Sequence, residues 1–157
     1  MLKVQIGKGD NAQFSFEESA ESLIEGDFSD EVKFVGKVKI VGEVINDGTT
    51  WKIFGKIYCR RKFNCDRCLT EAEENQVHEF DEEISQEEIA DGILDIAELV
   101  RDTLIAGQPI KNLCKVDCKG LCPKCGRNLN LGECECHEGK IDPRLAPLLK
   151  FKSVEGF

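Results

Sequence analysis

The chain of 157 residues is notable first for what is missing from it. No apolar run approaches the roughly 20 residues that a membrane-spanning helix requires. The start, Met1-Leu-Lys-Val-Gln-Ile, is followed at once by Lys8, Asp10 and Asn11, so it cannot supply the apolar core of a secretion signal. A cytoplasmic location is expected. There is no Gly-rich phosphate loop and no nucleophile elbow. Only two histidines occur, His78 and His137, and neither has a sequence context for acid–base chemistry. Low-complexity linkers and internal repeats are also missing. Two long stretches lack Lys and Arg altogether. Residues 9 to 32 hold eight acids, and residues 69 to 100 hold twelve. These gaps argue against an enzyme acting on a small-molecule substrate and against a membrane partner.

Cations are concentrated where the acids thin out. Residues 32 to 67 hold nine Lys or Arg against Glu43, Asp47 and Asp66. The formal net charge of -9 therefore hides opposite local fields, and local fields decide what a surface attracts.

The clearest strand signals are Val32 to Ile45 and Trp51 to Phe63. Asn46-Asp-Gly-Thr lies between them, a hairpin turn signal. A tight turn there predicts opposed residues whose numbers sum to 95, with Val44 opposite Trp51 and Lys33 opposite Lys62. One face then carries Val38, Ile40, Ile53, Ile57 and glycines facing larger residues. The other carries Lys33, Lys37, Lys39, Lys52, Lys56, Arg60 and Lys62 around Phe54 and Tyr58, with Glu43 as its one acid. Like charges opposite one another destabilise a sheet, so a ligand should favour them. A lysine-rich sheet face with aromatics can neutralise phosphates and offer stacking surfaces, as RNA-binding sheets do. Lys37, Lys39, Lys52, Phe54, Lys56, Tyr58, Arg60 and Lys62 are the candidate RNA contacts. A solvated face guarded by lysines is the plainer alternative.

Elsewhere, Leu2 to Ile6 predicts a short strand, Ser19 to Ile24 a short helix, and Glu71 to Ile84 an acidic strand. Asp95 is the expected N-cap of a helix with a stripe of Ile96, Leu99, Val100, Thr103 and Leu104, ending near Gly107 and Pro109. Asp142-Pro143 predicts a short last helix with Leu145, Leu148 and Leu149 on its apolar face. The expected class is α+β: an antiparallel sheet or partly open barrel, a few short helices and a Cys-rich C-terminal region. Residues 1–110 would form the mainly β part and 111–157 the metal-binding segment, packed as one unit.

Nine cysteines need a reason. Their odd number and the expected reducing location favour metal over disulfides. They are spaced Cys65-x2-Cys68, then Cys114-x3-Cys118-x3-Cys122-x2-Cys125-x8-Cys134-x-Cys136, with Cys59 apart. In Cys122-Pro-Lys-Cys125-Gly the proline sets a turn and the glycine lets the backbone curl past the sulfur. Backbone N–H groups can then support the thiolates. Four thiolates suit structural zinc. The expected sites are Cys122, Cys125, Cys134 and Cys136, and Cys65, Cys68, Cys114 and Cys118. The second set closes a loop of more than forty residues. His137 is an alternative ligand to Cys136. An iron–sulfur cluster and a redox pair at Cys65 and Cys68 are the competing readings. Cys59 reads as a small core residue and His78 as a surface one.

Several of these motifs occur together in a known family. Cys65-Asp-Arg-Cys68-Leu, Leu94-Asp-Ile-Ala-Glu-Leu-Val100, Cys118-Lys-Gly-Leu-Cys-Pro-Lys-Cys-Gly-Arg-Asn-Leu-Asn130 and Ile141-Asp-Pro-Arg-Leu145 resemble the YceD family. Those are bacterial proteins linked to accumulation of large-subunit ribosomal RNA, with relatives in plastids. By motif order the resemblance spans roughly residues 32 to 150. It implies a non-enzymatic factor in ribosome biogenesis whose partner is ribosomal RNA or a precursor of the large subunit. Some family members keep only the CxRC pair, which suggests that the second cysteine site is accessory. Lys119, Lys124 and Arg127 would add charge beside the knuckle. Two alternatives stay open: a module whose acidic segments hold a basic ribosomal protein, and a thiol-redox protein.

Overall fold

A computed structural model describes residues 2–6, 11–23, 32–46, 48, 50–136 and 144. The helix expected after Asp142 and the ligand role of His137 fall outside them.

Strong alternation builds the main sheet. Its strands are β2 (Ala12–Ser19), β3 (Val32–Phe34), β4 (Lys37–Asn46), β5 (Trp51–Asn64) and β6 (Glu71–Ile84). All neighbours are antiparallel, in the order β2-β4-β5-β3, with β6 on the other side of β5, and the sheet is a half-barrel. A smaller sheet joins β1 (Lys3–Gln5) to β8 (Ile93–Asp95) and β7 (Ile89–Ala90). Helix α1 (Ala20–Leu23) is one turn; helix α2 (Ala97–Ala106) is the longer. Residues Val38, Ile40, Val44, Ile53 and Ile57 of the main sheet pack with Val4, Leu94, Ile96, Val100 and Leu104 into one core. Cys59 joins that core as expected, and burial pushes its thiol up to about 11. The expected α+β class, an open antiparallel sheet with few short helices, is the one observed.

The hairpin register differs from the expected one. In β4 and β5 the opposed residues are Val44 and Ile53, Gly42 and Gly55, Lys39 and Tyr58. Four residues, not two, separate the strands, and the side-chain Oδ1 of Asn46 accepts from the Gly48 N–H in the loop. A slip of two residues leaves every side chain on its expected face, because the strand period is two. Farther along, Lys33 does face Lys62 as expected. The stretch from Val32 to Ile45, expected as one strand, is divided into β3 and β4, and the extra residues Val35 and Gly36 between them absorb the difference, five steps on one side matching three on the other.

The shifted register places Gly42 and Gly55 opposite one another rather than opposite larger residues. Phe14 of β2 faces Gly42, and Phe80 of β6 faces Gly55. A Cβ at Gly42 would lie 2.7 Å from the Phe14 ring, and one at Gly55 2.6 Å from the Phe80 ring. The two rings therefore close over a glycine pair at the middle of the sheet. Strand β2 itself is unexpected. Its Ala12, Phe14 and Phe16 alternate with exposed polar residues inside a stretch dominated by acids.

Helix α2 starts one residue later than expected. Ile96 is the N-cap, and Asp95 accepts from the Ala97 N–H at 3.0 Å. Strand β8 holds Asp95 extended, so its carboxylate reaches the first helical amide from outside the helix.

Candidate metal centres and the sheet face beside them

Strands β5 and β6 are fourteen residues each, and the turn between them carries Cys65 and Cys68. This turn is a knuckle. The Leu69 N–H donates to the Cys65 carbonyl at 2.8 Å, and the Cys65 N–H donates to the Thr70 carbonyl at 2.9 Å. The segment after α2 returns to it. Asp66 and Asn112 exchange two hydrogen bonds, Asp66 N–H to the Asn112 carbonyl at 2.8 Å and Asn112 N–H to Asp66 Oδ2 at 2.7 Å. That contact brings Cys114 and Cys118 over the knuckle. The second knuckle repeats the pattern, with Gly126 N–H to the Cys122 carbonyl at 2.9 Å and Cys122 N–H to the Arg127 carbonyl at 2.8 Å.

The structure gathers the sulfurs of Cys65, Cys68, Cys114 and Cys118 in one group and those of Cys122, Cys125, Cys134 and Cys136 in another. Within each group all sulfurs lie within 4.8 Å of one another. Cys65 and Cys118 are 3.8 Å apart, and Cys68 and Cys114 are 3.6 Å apart. A single tetrahedral ion with metal–sulfur bonds of about 2.3 Å holds its ligands about 3.8 Å from each other. Disulfides would bring sulfurs to about 2 Å. The donor sets therefore fit one soft metal ion each.

The surroundings favour thiolates. Burial works against the Cys65 thiolate, but N–H groups of Cys114, Cys68 and Arg67 outweigh it and bring the thiol down to about 6. Amides of Cys125 and Lys124 bring Cys122 down to about 6, with Lys124 N–H 3.4 Å from the sulfur. Neighbouring thiolates then hold the last protons on: burial and the charge sharing with Cys68 push Cys114 up to about 12, and Cys125 does the same to Cys136. A bound cation removes that mutual penalty. The first site is the more enclosed, with Cys65, Cys68 and Cys118 buried together against Leu113 and Leu121. In the second, Cys125 is exposed and Cys134 and Cys136 are half-buried.

Two braces around the first site had no sequence signal of their own. Asn130 Nδ2 donates to Cys118 Sγ at 3.3 Å, and Asn128 Nδ2 donates to Thr70 Oγ1 at 3.1 Å. The Asn-Leu-Asn run after the second knuckle thus supports the first. Arg61 is the other. It points inward from β5 and is 1% exposed. Its Nε and Nη2 reach Glu74 Oε1 at 2.7 and 2.6 Å, and Nη1 donates to Asn112 Oδ1 at 2.6 Å. Nη1 also reaches Gln108 at 3.3 Å, and the guanidinium lies 4.4 Å from the centre of the Phe63 ring. Arg61 therefore ties the sheet to the metal-bearing segment. His78 is half-buried rather than a surface residue. Its Nε2 is 3.1 Å from Gln76 Oε1, and Gly107 leaves room for its ring.

The outward face carries the cations expected there, but not alone. Strand β6 sets Glu83 opposite Lys52, Asp81 opposite Phe54, Glu79 opposite Lys56 and Glu73 opposite Lys62. Lys52 pairs with Glu83 at 3.4 Å, Lys56 with Glu79 at 2.7 Å and Lys62 with Glu71 at 2.8 Å. Lys37 is hydrogen-bonded to Glu17 of β2, which raises its pKa and lowers that of the carboxylate. The observed register also removes the expected facing of like charges across β4 and β5, because Lys39 stands opposite Tyr58, Lys56 opposite Val41 and Lys52 opposite Ile45. The acid row is interrupted once. Opposite Arg60 and Tyr58 stand the uncharged Asn75 and Val77. There Lys37, Lys39, Tyr58, Arg60, Asn75 and Val77 line a shallow depression of about 470 Å³. Lys39 stands opposite Glu17 of β2 but makes no ion pair within 4 Å among the described residues, and Arg60 reaches Glu73 only at 3.9 Å. Phe54 lies outside the depression, between Lys56 and Asp81.

Comparison with known proteins supplies a context. The family model described as "Large ribosomal RNA subunit accumulation protein YceD" matches residues 55–152. A protein of Arabidopsis thaliana, "Large ribosomal RNA subunit accumulation protein YCED homolog 1, chloroplastic", is 38% identical over 55 residues, 35% of this chain and 17% of that protein. Uncharacterized proteins of Mycobacterium tuberculosis and Mycobacterium bovis are each 34% identical over 67 residues, 43% of this chain and 32% of theirs. The chain thus spans about a third or less of the length of these relatives. No solved structure matches. No helix among the described residues is long and apolar enough to cross a membrane.

Proposed function

The chain belongs to the YceD family of large ribosomal RNA subunit accumulation proteins, and from that premise we propose that it is a non-enzymatic, cytoplasmic factor of large-subunit biogenesis that holds ribosomal RNA, free or in a precursor particle, on its outward sheet face. The observation that carries this reading is the gap in the acid row. Lys37, Lys39 and Arg60 surround the exposed ring of Tyr58 with neutral Asn75 and Val77 beside them. Phosphates suit the cations, and an unstacked base suits the ring. Lys52, Lys56, Lys62 and Phe54 are the weaker candidates, because β6 sets carboxylates against them, whereas around Tyr58 the facing acid is Glu17 of β2, bonded to Lys37.

Zinc is the metal best suited to eight thiolates, since it needs no redox change and takes four sulfurs tetrahedrally. Cys65, Cys68, Cys114 and Cys118 would hold one ion, and Cys122, Cys125, Cys134 and Cys136 the other. Four sulfurs close each coordination sphere, which suits a structural rather than a catalytic ion. The same engagement disfavours a thiol-redox role for Cys65 and Cys68. Metal analysis of the purified protein tests the identity: stoichiometric zinc and no colour are expected, and iron would overturn it.

The function is tested by filter binding to precursor large-subunit RNA. Replacing Lys37, Lys39 and Arg60 together by Glu should abolish retention and flatten its salt dependence, with the fold intact by circular dichroism. Unchanged retention would remove this face from consideration. A second reading has its own support. A groove of about 470 Å³ between the end of β6 and α2 is lined by Ile53, Ile84 and Leu94 together with Glu82, Glu98 and Asp102. It suits a basic segment of a ribosomal protein. Partners that survive nuclease treatment in pull-downs would favour that reading over direct RNA contact.

A further inference from the structure

We infer that Leu69, at the tip of the first metal knuckle, is an RNA-contacting residue kept for binding rather than for the fold. The two knuckles make the same pair of backbone hydrogen bonds, so Leu69 and Gly126 occupy equivalent positions. Both have left-handed backbone, φ 57° at Leu69 and 72° at Gly126. Glycine takes that conformation freely, whereas a side chain is strained there. The second knuckle uses the residue that local geometry prefers. The first does not.

Leu69 does not recover the cost by burial, since it is 67% exposed. Neither backbone geometry nor core packing therefore asks for leucine. A strained, exposed apolar side chain held on a rigid support is the combination found at contact sites. The four-sulfur group beneath supplies the rigidity, because Cys65 and Cys68 flank the turn. Val116, between Cys114 and Cys118 of the same group, is 94% exposed.

Charge identifies the partner. Lys111, Lys115 and Lys119 each adjoin a residue that meets the first knuckle, namely Asn112 bonded to Asp66, Cys114 beside Cys68 and Cys118 bonded to Arg67; all three are exposed and have no ion pair among the described residues. Asp117 is the only acid between residues 111 and 132, and Glu71, two residues from Leu69, is paired with Lys62 at 2.8 Å. The nearby Asp66 carboxylate already accepts from Asn112. Cations around an aliphatic tip fit a polyanion that presents unstacked bases, with lysines on phosphates and leucine against a base or ribose. The inference rests on the proposed RNA-binding function and adds a second contact surface to it.

The test uses metal-loaded full chain and purified large-subunit ribosomal RNA, with filter binding across a salt series. Leu69→Gly should weaken binding about tenfold without changing the slope against log salt, because an apolar contact releases no counterions. Its melting midpoint should equal or exceed that of the parent, with unchanged metal content. Leu69→Met should bind like the parent. A clearly lower midpoint for Leu69→Gly would show that leucine serves the fold and would overturn the inference. So would parental affinity. If Leu69→Gly binds normally while the Lys37, Lys39, Arg60 triple variant does not, only this inference fails. If the parent itself does not bind, the functional reading fails with it. Normal binding to naked RNA combined with loss from precursor particles on gradients would assign Leu69 to a protein and overturn RNA as its partner.

Discussion

Arg61→Ala should destabilise the protein by about 3 kcal/mol. Removing one partner of a buried ion pair costs about 3–5 kcal/mol, because the other charge is left stranded. Here Glu74 keeps 40% of its side-chain surface exposed, so water recovers part of that loss and the lower end applies. Asn112 and Gln108 also lose a charged donor, but the three losses share one guanidinium and do not add. For a chain of this size the midpoint should fall by roughly 6–12 °C. The assay is thermal and urea unfolding followed by circular dichroism at saturating metal, so that metal loss does not dominate. Arg61→Met retains the apolar stem and should lose most of the same stability. Combining it with Glu74→Met should recover at least about 1 kcal/mol, since a buried pair replaced as a pair is often near neutral. Asn112 grips the Asp66 turn, so chelator should also strip metal faster from Arg61→Ala than from the parent. A loss below about 1 kcal/mol, with no coupling to Glu74, would refute the view that this arginine joins sheet to knuckle.

The two metal centres should differ in their consequences. Cys118→Ser should leave about one metal ion per chain and disrupt packing around Leu113 and Leu121, whereas Cys136→Ser should leave the β-sheet spectrum intact; equal damage from both, by metal analysis and circular dichroism, would contradict the burial difference. His78 should make stability fall with acid. Burial and Arg61 lower its pKa in the folded state, so below about pH 6.5 the unfolded chain binds the proton first and gains stability relative to the fold. His78→Gln should flatten the stability profile between pH 6.5 and the lower folded-state value, and an unchanged slope there would exclude His78 as its source.

Local chemistry made much of this protein legible without coordinates. Alternation in Val32 to Phe63 and in Glu71 to Ile84 placed three long strands and their buried faces, because a period of two needs no knowledge of register. Cysteine spacing indicated which sulfurs could gather, since each knuckle is built by a few adjacent residues. The acids around Phe14 and Phe16 masked an equally clear alternation in β2, a signal available but outweighed by charge.

Other features depended on distant parts of the chain. The two-residue register shift comes with the Gly42–Gly55 pair that rings from β2 and β6 cover. The basic face looked like unbalanced repulsion until β6 laid its carboxylates beside the lysines, leaving the β6 side free of acids only near Tyr58. Arg61 had no role readable from its neighbours; its inward side chain is enclosed by one partner forty-seven and another fifty-one residues away. Sequence alone determined the long strand stretches on either side of the hairpin turn and before Ser85, the knuckles and the sign of each segment's charge, because those arise from neighbours along the chain. Only the tertiary structure decided which charges remain available and which residue bears strain, because both depend on what folding places opposite them.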